Sequence, residues 1–228
     1  MEYSGGMKRK VMDSTSPMKK LTLTICLILA VLLGSLVTGC GSDLDSGTDF
    51  DSGADFDKGL VFYKSGDYAT ALGEWRPLAE QGNADAQNSL GWMYHKGQGV
   101  PKDYKTALKW YTLAAKQGDA YAQIGLGGMY ENGDGVPQDY KTALKWYTLA
   151  AEQGHAHAQL VLGIMYDHGQ GVPQDNVYAH MWWQIAASSG DKNASTNRDI
   201  VAKQMTATQI EKAEKLASEC IAKEYKGC

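Results

Sequence analysis

Few residues of this chain have the type and spacing of a catalytic centre. Ser189-Gly190-Asp191-Lys192 is a Ser-x-x-Lys pattern, in which a nearby lysine can activate a serine for nucleophilic attack. The Lys-Thr-Gly and Ser-Asp-Asn elements that accompany this pattern in such enzymes do not occur in the sequence. The pattern also lies across the end of a sequence repeat. We therefore predict no catalytic residue and no enzymatic activity.

Histidines and glycines offer two further kinds of candidate site. His155 and His157 are two residues apart, and helical positions at that spacing do not face each other. The remaining histidines have no cysteine or carboxylate partner at ligand spacing. Glycine-rich segments such as Gly97–Asp103 lack the Gly-Lys-Ser/Thr ending of a phosphate-binding loop. We predict no metal site and no cofactor.

Cys40 is the cysteine with the clearest chemical context. A basic Met18-Lys19-Lys20 precedes the apolar run Leu21–Val37, and Thr38-Gly39 leads directly to the cysteine. This order is typical of a secretory signal. The ending resembles a bacterial lipobox, which implies cleavage before Cys40 and diacylation of its side chain. An uncleaved anchor helix is the alternative, although about 17 residues is short for a membrane-spanning helix.

The N-terminal segments predict how the protein is delivered and displayed. Residues 1–17 have no signal-like character, so Met18 is a candidate start, and residues 18–39 form the predicted lipoprotein signal peptide. Residues 40–54 are rich in Gly, Ser and Asp, and their mutual charge repulsion favours an extended tether. Gly41 and Ser42 lack the Asp that commonly retains lipoproteins at an inner membrane. We therefore expect lipid anchoring at the periplasmic face of an outer membrane.

A sequence repeat follows the tether. Tyr104–Gly118 recurs at Tyr140–Gly154, 36 residues later, with one change in fifteen positions. Each copy contains an Ala- and Gly-rich segment ending in Met-Tyr, then a Gly-x-Gly-Val-Pro-x-Asp turn, then a segment that alternates small and aromatic residues. Both segments have helical spacing, and we name them helix A and helix B. The period and composition predict an all-α solenoid of stacked helix pairs.

The repeat is similar to a known family. The motifs LGxMY, GxGVPxD and ALxWYxxAAxQG resemble Sel-one-like repeats (SLR), and the shorter first unit around Ser65-Gly66-Asp67 resembles a tetratricopeptide repeat. The resemblance covers residues 55–190. It implies antiparallel helix pairs in a right-handed superhelix that recognises other proteins. Residues 191–228 are expected to form C-terminal capping helices, one opened by a Thr206-x-x-Gln209 capping box.

The family register also predicts which side chains line the concave surface. These positions differ between copies, whereas their packing neighbours do not, and we interpret that divergence as evidence of recognition. They are Asp85, Asn88, Trp92 and His95 in the first copy, Tyr121, Ile124, Gly128 and Glu131 in the second, and His157, Leu160, Ile164 and Asp167 in the third. Trp92 beside Tyr121 is the predicted anchor, because aromatic residues dominate binding hot spots. Interhelical packing is the alternative role for Trp92.

Cys220 and Cys228 have two possible states. In an oxidising envelope compartment they could form a disulfide, and otherwise they remain a reduced pair. The spacing alone does not decide between the two.

Net charge excludes one class of partner. The whole chain carries a formal charge of −4, and residues after 39 hold 17 Lys and Arg against 24 Asp and Glu. A nucleic-acid-binding protein normally has the opposite sign. The sequence thus predicts a scaffold or adaptor that binds other envelope proteins and is held to the membrane by lipid. A cell-wall- or β-lactam-directed hydrolase and a host-binding virulence factor are the alternatives.

Overall fold

The computed structural model describes residues 55–228, and within that range it contains ten α-helices and no strand. The predicted signal peptide, Cys40 and the acidic tether lie outside the described residues. The all-α repeat fold is confirmed. The helices are α1 (Phe56–Ser65), α2 (Tyr68–Glu80), α3 (Ala84–Lys96), α4 (Tyr104–Lys116), α5 (Ala120–Asn132), α6 (Tyr140–Ala151), α7 (Ala156–His168), α8 (Asn176–Ser188), α9 (Lys192–Ala202) and α10 (Ala207–Ala222).

The first eight helices form four pairs. In each pair the odd-numbered helix is helix A and the even-numbered helix is helix B, and the two pack against each other. Each helix B also packs against helix A of the next pair, and α3 contacts α5 directly. Short connections make consecutive helices antiparallel. The core is therefore a series of clusters along the array, and each repeat is stabilised by its neighbours.

The turns between helix A and helix B use the residues that the sequence predicted. Gly97 has a φ of 72°, and its N–H donates to the Met93 carbonyl, which ends α3. Asp103 then caps α4, because its carboxylate accepts hydrogen bonds from the N–H groups of Lys105 and Thr106 and from the Thr106 hydroxyl. The Thr106 hydrogen bonds hold the pKa of the Asp103 carboxyl below its usual range. Asp139 begins α6 in the same way, and Asp175 begins α8 by accepting from the N–H groups of Val177 and Tyr178.

The two helices of a pair touch where an aromatic ring of helix B lies on a glycine of helix A. The contact occurs in all four pairs: Gly59 with Trp75, Gly91 with Tyr111, Gly127 with Tyr147, and Gly163 with Trp183. A Cβ at Gly127 would lie 2.7 Å from Cε1 of Tyr147, far inside van der Waals contact. The four rings are at most 4% exposed. Glycine at this position is therefore required by close approach of the helices.

Gly127→Ala tests this contact. We expect the variant to lose about 1–3 kcal/mol of unfolding free energy, because the added methyl group must displace the Tyr147 ring. The matched control is Gly73→Ala in α2, where a Cβ would meet no atom within 4 Å. The control should gain up to about 1 kcal/mol from higher helix propensity. Urea unfolding followed by circular dichroism measures both, and equal stability of the two variants would contradict the packing argument.

A ladder of glutamines links successive pairs. The buried Gln87 donates from Nε2 to the Ala79 carbonyl (2.9 Å) and accepts at Oε1 from Nε2 of Gln117 (2.8 Å). Gln123 repeats the pattern with the Ala115 carbonyl (3.4 Å) and Gln153 (2.8 Å). The equivalent of Gln153 in the next pair, 36 residues later, is Ser189.

The ladder ends at that serine. Gln159 is 0% exposed and still donates to the Ala151 carbonyl (3.2 Å), but its Oε1 has no hydrogen-bond partner. The serine side chain is too short to replace the amide that donates in the first two copies. A buried acceptor without a donor is destabilising.

Ser189→Gln should restore the missing hydrogen bond. Because Ser189 is exposed and ends α8 with a backbone conformation like that of Gln117, we expect the variant to gain about 1 kcal/mol of unfolding free energy. Gln153→Ser is the reciprocal variant, and it should lose about 1–3 kcal/mol by leaving Gln123 Oε1 unpaired. Thermal and urea unfolding measure the stability of both variants relative to intact protein. A neutral effect of both substitutions would show that the ladder does not stabilise the fold.

The C-terminal segment contains one helix that continues the repeat and one that does not. Both helices predicted there are present, and the Thr206–Gln209 capping box begins α10. α9 packs against α8 as a further helix A would, whereas α10 also packs against α8 rather than pairing with α9. Cys220 and Cys228 form a disulfide with their Cα atoms 5.4 Å apart. Next to it, Lys226 Nζ donates to the Glu152 carbonyl (2.9 Å) and the Gly227 N–H donates to the Glu152 carboxylate (3.1 Å).

Candidate protein-binding surface

The predicted recognition residues lie on the helix A layer, on α3, α5 and α7. Trp92 is 40% exposed and His157 is also exposed. Leu160 is buried, and the remaining positions are partly exposed. The helix A layer therefore presents a mixed aromatic, aliphatic and acidic face to solvent.

Trp92 combines packing with exposure. Its Nε1 donates to the Tyr63 hydroxyl (2.7 Å), and that hydroxyl donates to Gln98 Oε1 (2.7 Å). Lys96 Nζ lies 4.8 Å from the centre of the indole ring, within cation–π range. Burial is the main reason that the pKa of Tyr63 is raised. The indole is therefore held in one orientation by α1 while 40% of the residue stays exposed, as a preorganised anchor requires.

Tyr121 has a different ring partner. It meets His155 edge to face, with the ring centres 4.7 Å apart. Burial and the neighbouring His157 lower the pKa of the His155 imidazole, so the ring is neutral at pH 7. The structure thus pairs Trp92 with Tyr63 and Tyr121 with His155.

Acidic side chains follow one edge of the layer, at the C-terminal ends of the A helices. Asp134 lies 2.9 Å from Nε2 of His95, and the Glu131 carboxylate accepts a hydrogen bond from the Tyr147 hydroxyl (2.7 Å). Burial and this carboxylate together raise the pKa of Tyr147, which therefore stays protonated. Asp167 lies 3.6 Å from Nε2 of the neighbouring His168. These groups give the edge a negative formal charge.

Leu160 does not belong to the surface, and its assignment as a concave-face residue is wrong. It is 8% exposed and belongs to a cluster with Ala194 and Val201 of α9. Its carbonyl also accepts a hydrogen bond from Trp183 Nε1 (3.1 Å). The same cluster contains Ala179, Trp183 and Ala186 of α8, so α8 and α9 together enclose this position.

α9 also forms a cleft that the sequence reasoning missed. The cleft has a volume of about 260 Å³ and lies between the C-terminal half of α7 and α9. Its lining consists of Ile164, Asp167, His168, Trp183, Asn197, Ile200, Val201 and Gln204. The sequence does contain an indication of this cleft, because Ile200 follows Ile164 by one repeat length of 36 residues.

The serine and lysine of the Ser-x-x-Lys pattern do not share a helix face. Ser189 ends α8, Lys192 begins α9, and Gly190 between them has a φ of 91°. Asp191 is the N-cap of α9 and accepts from the Ala194 N–H (2.8 Å). Ser189, Gly190 and Asp191 therefore form the turn between α8 and α9. Among residues 55–228 there is no group of three His, Cys, Asp or Glu side chains that could hold a metal ion.

The fold defines an all-α helical-repeat protein. A family model of the Sel1 repeat matches residues 84–119, 120–155 and 156–191. A Sel1 repeat protein from Oxalobacter formigenes is 30% identical, with a TM-score of 0.60, and the match covers 73% of this chain and 75% of that one. No curated protein sequence matches the chain.

A second solved structure adds sequence similarity. It is a protective antigen of uropathogenic Escherichia coli strains displaying an SLR fold, 31% identical, with a TM-score of 0.47. The match covers 75% of this chain and 46% of that protein. The chain belongs to the Sel1 repeat family. Proteins of this family bind other proteins in general and are generally not catalysts.

Proposed function

We propose that this protein is a lipid-anchored scaffold of the bacterial envelope that binds another envelope protein through its helix A face. The observation that carries the proposal is the divergence of solvent-facing helix A positions within repeats whose packing residues are the same. Trp92, Gly128 and Ile164 occupy one position, whereas the glycine one residue earlier is present in all three copies. Identical packing builds the frame, and varied surface residues serve recognition.

Two features support an envelope location. The segment ending at Cys40 resembles a lipobox, and two long acyl chains anchor a protein stably to a membrane. The disulfide between Cys220 and Cys228 is of the kind that persists in oxidising compartments such as the periplasm. In the part of the chain that the structure describes, no helix has the length and apolarity of a membrane span. The anchor that we propose is the lipid on Cys40, and the lipobox-like ending at that cysteine supports it.

The helix A face is tested by crosslinking in membranes. Intact protein should capture a discrete partner, and the double variant Trp92→Ala/Tyr121→Ala should recover at least about fivefold less, since each ring is a candidate hot spot. Leu113→Ala is the matched control, because Leu113 is 38% exposed but lies on helix B of the second pair. The control should capture the partner as well as intact protein does.

The outcome is read together with folding. Circular dichroism must show the same helicity for all three proteins. If the double variant recovers as much partner as intact protein does, the helix A face is not the binding surface. Loss of the partner in Leu113→Ala would move the site to the helix B layer.

Lipidation is tested at Cys40. Metabolic labelling with an alkyne fatty acid should mark intact protein and leave Cys40→Ala unlabelled, because thioether-linked diacylation needs that thiol. Cys26→Ala, inside the apolar run, is the control and should keep the label. The label on intact protein separates the alternatives, because an uncleaved anchor helix would hold an unlabelled protein in the membrane fraction. A parent protein without label would overturn the lipoprotein proposal.

A further inference from the structure

α9 continues the helix A register beyond the last matched repeat. Asp191 caps it through the Ala194 N–H (2.8 Å), as Asp119 caps α5 through the Ala122 N–H (2.6 Å). Ala194 is 36 residues after Ala158, and both are fully buried. Val201 likewise follows the buried Met165 by 36 residues and is 2% exposed. α9 is thus a fourth helix A in which the packing positions are retained.

The same register places Ile200 in the recognition row. Trp92, Gly128, Ile164 and Ile200 are successive members of that row. Ile200 is 52% exposed, more than Trp92, and it forms one wall of the cleft opposite Ile164. Trp183 and Val201, both nearly buried, also line the cleft. An exposed isoleucine over an apolar floor is a site for an apolar side chain.

The rest of the lining is polar and contains one carboxylate. Asp167 has 29% of its side chain exposed and lies 3.6 Å from Nε2 of His168, which also lines the cleft, whereas no lysine or arginine does. On α9, Arg198 is paired with Asp199 (2.6 Å) and with Gln184 (2.9 Å). Glu131 and Asp134 extend the acidic edge away from the cleft. A carboxylate beside an apolar wall favours a basic side chain, arginine above all, since its guanidinium can donate two parallel hydrogen bonds.

We infer that the cleft between α7 and α9 is the anchor pocket for a segment of the partner protein that carries a bulky apolar side chain next to a basic one. The inference rests on the proposed function and names the chemistry of the partner. The apolar side chain contacts Ile164, Ile200 and Trp183, and the basic one pairs with Asp167. The side-chain amides of Asn197 and Gln204 hydrogen-bond to the backbone of the bound segment. A volume of about 260 Å³ holds several waters, which an apolar side chain displaces favourably.

The test uses a displayed random-peptide library selected on the full chain. Enriched peptides are synthesised, and their affinities are measured by isothermal titration. We expect sequences that join an aromatic or large aliphatic residue to Arg or Lys. Ile200→Glu should weaken their binding at least about tenfold, and Asp167→Asn about fivefold, which corresponds to about 1.4 and 1 kcal/mol. Ile221→Glu is the matched control, since Ile221 is 41% exposed and lies on α10, and binding should stay within about twofold.

Salt provides a second readout. Raising the ionic strength should weaken binding to intact protein and have little effect on Asp167→Asn, because the ion pair is already lost. A helical circular dichroism spectrum for each variant excludes unfolding as the cause, and the exposure of Ile200 makes the substitution compatible with folding.

Other results overturn the inference in distinguishable ways. If the peptides bind Ile200→Glu as well as intact protein but do not bind Trp92→Ala/Tyr121→Ala, the pocket inference is wrong and the proposed function stands. Selection of acidic peptides, or equal peptide affinity for Asp167→Asn and intact protein, would overturn the assignment of a basic side chain that pairs with Asp167. A library that yields no peptide dependent on Ile200 also overturns the pocket, while partner crosslinking tests the proposed function separately.

Discussion

The whole array depends on an aromatic ring that lies on a bare glycine. The glycine removes a Cβ from helix A, and the ring of helix B takes that space, so the two helices approach closely and bury both surfaces. In the first and last pairs the ring is tryptophan. Its indole N–H donates to the carbonyl three residues before the glycine, at Phe56 and Leu160, in each case at 3.1 Å. The central pairs use tyrosine instead.

This packing explains how the same frame can carry a varied surface. The ring, the glycine and the buried alanines use one side of each helix, and the outer side of helix A carries side chains that differ between copies. Trp92, Gly128 and Ile164 differ in size and polarity although they share one position. A recognition surface is the expected product of such an arrangement.

The C-terminal end closes the array on both layers. α9 packs against α8, and its Ala194 and Val201 share a core cluster with Leu160. α10 lies on α8, and its Ala217 and Cys220 complete the largest core cluster. Behind the disulfide, Glu224 and Tyr225 have positive φ angles of 52° and 67°, and the tail reaches Glu152. The end of the array is therefore held by covalent, polar and apolar contacts together.

The sequence by itself determined the repeat length, the two helices of each unit and the Gly-x-Gly-Val-Pro-x-Asp turns between them. These features follow from local conformational preferences and from spacing along one helix, and both depend on residues that are close together in the sequence. The sequence also indicated the helix A layer as the recognition surface, and Trp92 is exposed there.

Only the tertiary structure decided which residues of that layer are open. Leu160 has the register of a surface residue, yet it is buried in a cluster with α8 and α9. Ile200 lies outside the matched repeats, yet it forms a cleft with Ile164. The missing partner of Gln159 and the position of α10 on α8 likewise depend on which helix comes next in space. The physical reason is that burial and hydrogen bonding depend on side chains that are distant in the chain and close in space, and spacing along one helix does not specify those.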